Sequence, residues 1–213
     1  MKSLALLAVA LVLSFATQIS ADEAAVVKLI KERGGNVEID RTQPDVPVVS
    51  VNLPGANISD ADLKELKTLK NCRSLTLRAI ASKSPPRANG RITDAGLKEL
   101  HDLKNLQFLD LAGQSQITDQ GIKELKGFEK LQTLVLVHNN ITDAGLKDLA
   151  DMKDLRTLTI KFTQVSVTGL SGLRNLKSLK TLVLGNNKVS FNYLSELKAA
   201  LPDVEILEES YGR

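Results

Sequence analysis

The chain has 213 residues, of which 43% are apolar and 25% are charged, a balance that excludes a disordered protein and favours a globular one. Its 28 basic and 25 acidic residues leave a formal charge of +3, and they alternate along the chain without a long run of one sign. We therefore expect no nucleic-acid partner. Aromatic residues make up only 3% and Trp is absent, which favours a core of Leu, Val and Ile.

Residues 1–21 differ in composition from the rest of the chain. Met1 and Lys2 precede an unbroken apolar run from Leu4 to Phe15, and a short polar stretch then ends at Ala21. This order predicts a secretory signal peptide that is cut after Ala21, because the run is short for a membrane span. An uncleaved membrane anchor is the alternative. We expect a secreted protein or one of the periplasm or cell envelope, with no stable membrane insertion after cleavage.

Residues 22–45 are predicted to form an amino-terminal cap. The segment 23–33 has the apolar spacing of a helix, Gly34 and Gly35 end it, and 36–40 can add a strand to the first edge of a sheet. The helix residues predicted to point inward are Val26 or Val27, Leu29 and Ile30.

One nine-residue phrase recurs through residues 46–206. It is written ITDAGLKEL at Ile92, ITDQGIKEL at Ile117 and ITDAGLKDL at Ile141, with a divergent copy, ISDADLKEL, at Ile58. Each phrase follows an L-x-x-L-x-L pattern, and a seventh, compressed copy of that pattern is placed at Leu201, Val204 and Ile206. The phrases open with an aliphatic residue at steps of 34, 25, 24, 24 and 24 residues, namely at Ile58, Ile92, Ile117, Ile141, Val165 and Val189.

Each repeat unit combines two periodicities. Apolar residues alternate at spacing two in LQTLVLVHNN, which predicts a strand, and recur at spacing three to four in ITDAGLKDLADM, which predicts a helix. One unit alone cannot bury both apolar faces, so stacked units are expected to share a core. Thr142 supplies a capping hydroxyl. The recurring aspartates are each predicted to cap the helix of their own unit: Asp60, Asp94, Asp119 and Asp143.

The pattern L-x-x-L-x-L-x-x-N-x-I-T-D-x-G-L resembles the leucine-rich repeat, and its 24-residue length is similar to the cysteine-containing, F-box-type subclass and to exported bacterial members. The resemblance implies an α/β solenoid, a right-handed superhelix with a parallel sheet on the concave face and helices on the convex face. It also implies a buried asparagine ladder at Asn139 and Asn187, expected to be interrupted at Ala56 and Gln114. Cys72 occupies a core position of the motif, so we expect a buried apolar group rather than a functional thiol.

The sequence offers no catalytic constellation, since its single Cys and two His are not spaced as a nucleophile and base. We therefore expect no enzyme, no cofactor and no metal site. The resemblance implies instead a protein–protein binding module that uses its concave face, with an inhibitor or accessory subunit of a secreted enzyme as the alternative. The candidate partner-binding residues, a small apolar patch with charged neighbours, are Phe108, Asp110, Val135, Val137, His138, Arg156, Lys161 and Phe162.

One unit carries an insertion. Between Leu77 and Ile92 lie 14 residues where regular units have four, and the segment is rich in Pro, Ser and Arg. A basic surface loop over residues 79–91 is predicted, and either a binding role or tolerated drift is compatible with it. Residues 207–213 are predicted to form a polar carboxyl-terminal tail.

Overall fold

The computed structural model describes residues 19–54, 58–79, 91–187 and 194–209. Within them, eight strands form one sheet in chain order. The strands are β1 (Asn36–Ile39), β2 (Val48–Asn52), β3 (Ser74–Thr76), β4 (Phe108–Asp110), β5 (Thr133–Val137), β6 (Thr157–Lys161), β7 (Thr181–Gly185) and β8 (Glu205–Glu208). The helices are α1 (Ala21–Glu32), α2 (Asp60–Glu65), α3 (Asp94–Glu99), α4 (Asp119–Glu124), α5 (Asp143–Leu149), α6 (Val167–Ser171) and α7 (Leu194–Ala200).

The strands β2 to β8 are parallel, and β1 pairs antiparallel with β2. Equivalent leucines of successive units lie side by side and are fully buried, as Leu109, Leu134 and Leu158 show. Burial of one such side chain contributes about 2 kcal/mol, and each leucine depends on its neighbours for it. The predicted α/β solenoid, with its added strand at the amino-terminal edge, is confirmed. Cys72 is fully buried in this core, as expected.

The helix starts join each unit to the next. Thr93 caps its own helix α3, since its hydroxyl accepts the Ala95 N–H at 3.2 Å. Asp94, however, accepts the N–H and the hydroxyl of Thr118 in the following unit, at 2.8 and 2.7 Å. The prediction that each aspartate caps its own helix is therefore wrong, because the carboxylate satisfies donors of the next unit. Three further pairs repeat the arrangement: Asp60 with Thr93, Asp119 with Thr142, and Asp143 with Ser166.

The contact between the aspartate and the next unit also explains why the repeated phrase contains a glycine. A Cβ atom placed on Gly121 would overlap the Asp94 carboxylate, and Gly96, Gly145 and Gly169 each meet the aspartate of the preceding unit in the same way. The sequence agrees at the far end of the array. There Val167 takes the place of the aspartate, and the following unit has Tyr193 in place of glycine.

The divergent first phrase is explained by its position. No repeat precedes it, and Asp62 occupies the glycine position. Its carboxylate accepts the N–H and the hydroxyl of Ser59 at 2.8 and 2.9 Å. Asp62 thus provides, within the first unit, the carboxylate acceptor that the preceding unit provides elsewhere. Asp62 also pairs with Arg33 at the end of α1, at 2.6 Å. The ion pair thereby fastens the cap helix to the array.

The asparagine ladder predicted from the repeat continues at Gln114, where the sequence analysis expected a break. Gln114 is fully buried, accepts the Ile92 N–H at 3.2 Å and donates to the Leu77 carbonyl at 2.6 Å. The predicted interruption there is wrong, because the longer glutamine side chain spans the longer unit. Asn139 donates to the carbonyls of Leu111 and Gln114, while its buried Oδ1 lacks a partner among the described residues. Ala56 lies outside the described residues.

The two ends of the array differ in detail from expectation. Helix α1 starts at Ala21, and the Ser20 hydroxyl accepts the Glu23 N–H at 3.2 Å, so cleavage after Ala21, still a prediction, would remove this cap. Leu29 is only half-buried, whereas Val26, Val27 and Ile30 are buried. At the other end, Ile206 pairs with Leu182, so the predicted alignment of the last copy is displaced by two residues and β8 extends into the predicted tail.

Candidate functional site

The exposed face of the sheet ends in a row of turns with unusual backbone geometry. The residues just beyond strands β5 and β6, His138 and Phe162, have φ angles of 56° and 51°, and Gly113 and Asn186 hold the same place in their units at 82° and 50°. This left-handed region suits Gly and is tolerated by Asn and His, but it costs a residue such as Phe about 1 kcal/mol or more. Two of the four positions carry large rings, and at Phe162 the ring is present despite the backbone strain.

The two rings stack on one another. The centroids of His138 and Phe162 are 4.2 Å apart and the ring planes lie 14° from parallel. Their backbones are fixed by the next unit, since the His138 N–H donates to Lys161 and the Phe162 N–H donates to Gly185, both at 3.0 Å. His138 is exposed and Phe162 is half-buried, so the stack presents a rigid aromatic surface to solvent.

Desolvation by the surrounding side chains lowers the pKa of His138. The imidazole is therefore held in its neutral form near neutral pH. A neutral imidazole stacks on Phe162 without the desolvation penalty that a charged imidazole would carry. The ring pair is therefore suited to contact an apolar surface.

Two of the predicted charged residues are engaged within the fold. Asp110 is buried and accepts two bonds from the Arg78 guanidinium, at 2.6 and 3.1 Å, and one from the Ala112 N–H at 2.9 Å. Lys161 is also buried and pairs with Glu209. The charges offered to solvent at these places are those of Arg78 and Glu209, whose side chains are 58% and 60% exposed. Arg78 occupies the same position in its unit as Lys161 does in its own, directly after the L-x-x-L-x-L pattern, and that shared position was the sequence signal for it.

The structure separates the candidate residues into two groups. Val137, His138, Lys161 and Phe162 come together at the carboxyl ends of β5 and β6, with half-buried Val135 beside them. Arg156 precedes β6 and therefore lies at the opposite edge, about 17 Å away along the strand. Half-buried Phe108 opens β4 and pairs with Thr133 at the start of β5, so it too lies toward that opposite edge.

Cys72 and His101 are both engaged within the fold. Burial raises the pKa of the Cys72 thiol to about 12, which keeps it from acting as a thiolate nucleophile. His101 lies 3.0 Å from the Glu124 carbonyl and 3.1 Å from its carboxylate. The described residues contain no group of three or more His, Cys, Asp or Glu side chains placed to hold a metal ion. Among them there is also no helix long and apolar enough to cross a membrane.

Comparison with known proteins agrees with this architecture. The family model described as Leucine Rich repeat matches residues 129–150, which cover β5 with its flanking turns and α5. A search of curated proteins gave no significant match. The matched unit and the stacked copies around it support a leucine-rich repeat protein. Proteins of this class commonly serve as protein-interaction modules rather than enzymes, whereas the F-box-type and exported bacterial subclasses stay predictions.

Proposed function

We propose that this chain is an exported protein-binding module whose principal contact surface is the aromatic edge, defined as Val137, His138, Phe162 and the guanidinium of Arg78. The observation that carries the proposal is the stacked ring pair on two left-handed residues. Strained backbone positions cluster at functional sites, and Phe162 is such a position, whereas Asn186 at the next equivalent position shows that a less strained residue fits there.

The composition of the aromatic edge suits a protein partner. Half-exposed rings and aliphatic side chains supply desolvated contact area, and aromatic residues are enriched among the residues that dominate binding energy. Arg78 and Glu209 provide charges of opposite sign around the apolar centre, with the Arg78 head group held in place by buried Asp110. Such a polar rim surrounds most protein interfaces.

Export is part of the proposal because residues 1–21 have the order of a signal peptide. The partner is then a protein of the cell envelope or the exterior. Contact through the sheet face and its carboxyl edge leaves the helix side free to maintain the solenoid.

The test compares two variants of the full chain produced in its own cells. His138→Asn with Phe162→Asn removes both rings but keeps residues that tolerate left-handed backbone, as Asn186 does. Lys64→Gln with Lys98→Gln alters exposed helix positions and serves as control. A photo-crosslinking residue placed at Val137 is expected to capture a defined partner in the wild-type and control backgrounds, and to lose it in the ring-deleted one.

The ring-deleted variant should keep its unfolding midpoint near that of the wild type, because lost stacking, about 1 kcal/mol, is offset by relieved backbone strain. Equal crosslinking in all three backgrounds would refute the aromatic edge as the contact surface. Absence of any crosslinked partner in the wild type would refute it as well.

A further inference from the structure

A second surface lies at the opposite edge of the sheet, where the chain enters strands β6 and β7. Residues before β7 follow a period of three: Leu173, Leu176 and Leu179 are buried, and the residue after each is an exposed base. A short 3-10 helix over Gly172–Asn175 begins this turn, and its geometry brings residues three apart onto one side. The three bases on the solvent side are Arg174, Lys177 and Lys180.

The preceding unit adds two more bases in register. Arg156 lies beside Lys180, because the Lys180 N–H donates to the Arg156 carbonyl at 2.8 Å. Lys153 occupies the position equivalent to Lys177, 24 residues earlier. We call these five residues the basic edge: Lys153, Arg156, Arg174, Lys177 and Lys180. Like charges on adjacent strands repel one another, so folding alone gives no reason to place them together.

The basic edge differs from the other basic positions of the same turns. Lys70 pairs with Asp102 at 2.8 Å and Lys126 with Asp148 at 3.0 Å, so their charges are neutralised within the fold. None of the five side chains makes an ion pair or hydrogen bond within the described ranges, and the neighbouring acids, Glu129, Asp154, Asp203 and Glu205, pair with none of them. The positive charge there is left for solvent or a ligand.

We propose that the basic edge binds a linear acidic polysaccharide. Neighbouring strands are about 4.8 Å apart, so the bases form short rows across the two units that match the regularly spaced anions of an extended polymer. Single-stranded nucleic acid sites combine such rows with aromatic stacking platforms. The described turns that hold the five bases, 149–156 and 172–180, contain no aromatic residue, and half-buried Phe108 at the same edge belongs to β4, two strands from β6.

The basic edge and the aromatic edge lie at opposite ends of the strands. A polymer and a protein can therefore bind to the chain at the same time. The choice of polysaccharide rests on the proposed export, since acidic sugar polymers are met at the cell surface. The binding itself does not depend on the aromatic edge. Its test can therefore fail without affecting the protein-binding proposal.

The experiment measures retention of the full chain on immobilised heparin and on immobilised polygalacturonate, which carry sulfate and carboxylate respectively. The variant Arg156→Gln/Lys177→Gln/Lys180→Gln removes three charges of the basic edge. Its control, Lys64→Gln/Lys98→Gln/Lys147→Gln, removes three exposed charges from the helices. We expect the wild type and the control to be retained at 150 mM salt on at least one polymer. The slope of log affinity against log salt should fall by about one for each cation removed from the basic edge.

Three outcomes would overturn the proposal. The first is equal weakening in the control, which would show attraction by net charge alone. The second is a wild type that is not retained on either polymer at that salt concentration. The third is tighter binding to single-stranded DNA or to phosphatidylglycerol vesicles than to both polysaccharides, which would assign the basic edge to another class of ligand.

Discussion

The helix starts and the strand exits of this solenoid lie in the same units but vary to very different degrees. At the helix starts the chain repeats Thr, Asp and Gly because each of these residues contacts the corresponding residues of the neighbouring unit. At the strand exits, four equivalent left-handed positions hold Gly113, His138, Phe162 and Asn186. Sequence is constrained where units bind each other and free where they face solvent. The free positions are the ones that can acquire a partner.

The largest expected effect belongs to the aspartates. Asp119→Ala leaves the N–H and hydroxyl of Thr142 without their acceptor, where the wild type holds both within 2.9 Å. Hydrogen bonds to a charged group contribute more than neutral ones, so the free energy of unfolding should fall by about 3 kcal/mol. Urea denaturation measures this, with Asp154→Ala as a control that should change it by less than about 0.5 kcal/mol. Equal losses in both variants would show that the bond between units contributes little.

The glycine tests the same contact from its other side. Gly121→Ala should cost about 2 kcal/mol, because the added methyl group overlaps the Asp94 carboxylate. In an Asp94→Ala background the same change should be neutral or stabilising, since Ala favours a helix over Gly by about 1 kcal/mol. A double-mutant cycle measured by urea unfolding gives the coupling. Additive effects would mean that the glycine has another reason to be there.

The smallest effect is expected at the strand exits and depends on pH. The pKa of His138 is lowered in the folded state by desolvation, so the unfolded chain binds its proton first as the pH falls. The contribution of His138 to stability is present above its unfolded pKa of about 6.5 and is lost as the pH falls from there through the lower folded pKa. His138→Asn should therefore lose less stability than the wild type between pH 7.5 and pH 5. Urea unfolding of both proteins at the two pH values measures this difference. Identical losses of unfolding free energy in the wild type and the variant would contradict the desolvation of this ring.

The strand and helix of every regular unit were predictable because their periodicities are local and the units repeat. The predicted role of the aspartates was wrong because the acceptor and its donor are 23, 24 or 33 residues apart, and spacing alone does not say which unit a carboxylate faces. The break expected at Gln114 failed for a similar reason: only the folded geometry shows that a longer side chain reaches across a longer turn. The alternation of the strand predicts an exposed Asp110, but in the folded structure the Arg78 side chain covers it.

The sequence by itself determined the solenoid, since a unit with two apolar faces can bury them only against copies of itself. It also located the rings of the candidate site. The tertiary structure decided which of these residues are available: it stacked His138 on Phe162 and neutralised Asp110 and Lys161. It also gathered bases that are dispersed along the chain into one edge. The physical reason is the stacking itself, which places residues 24 positions apart about 5 Å from each other, so charges balanced along the sequence are not balanced in space.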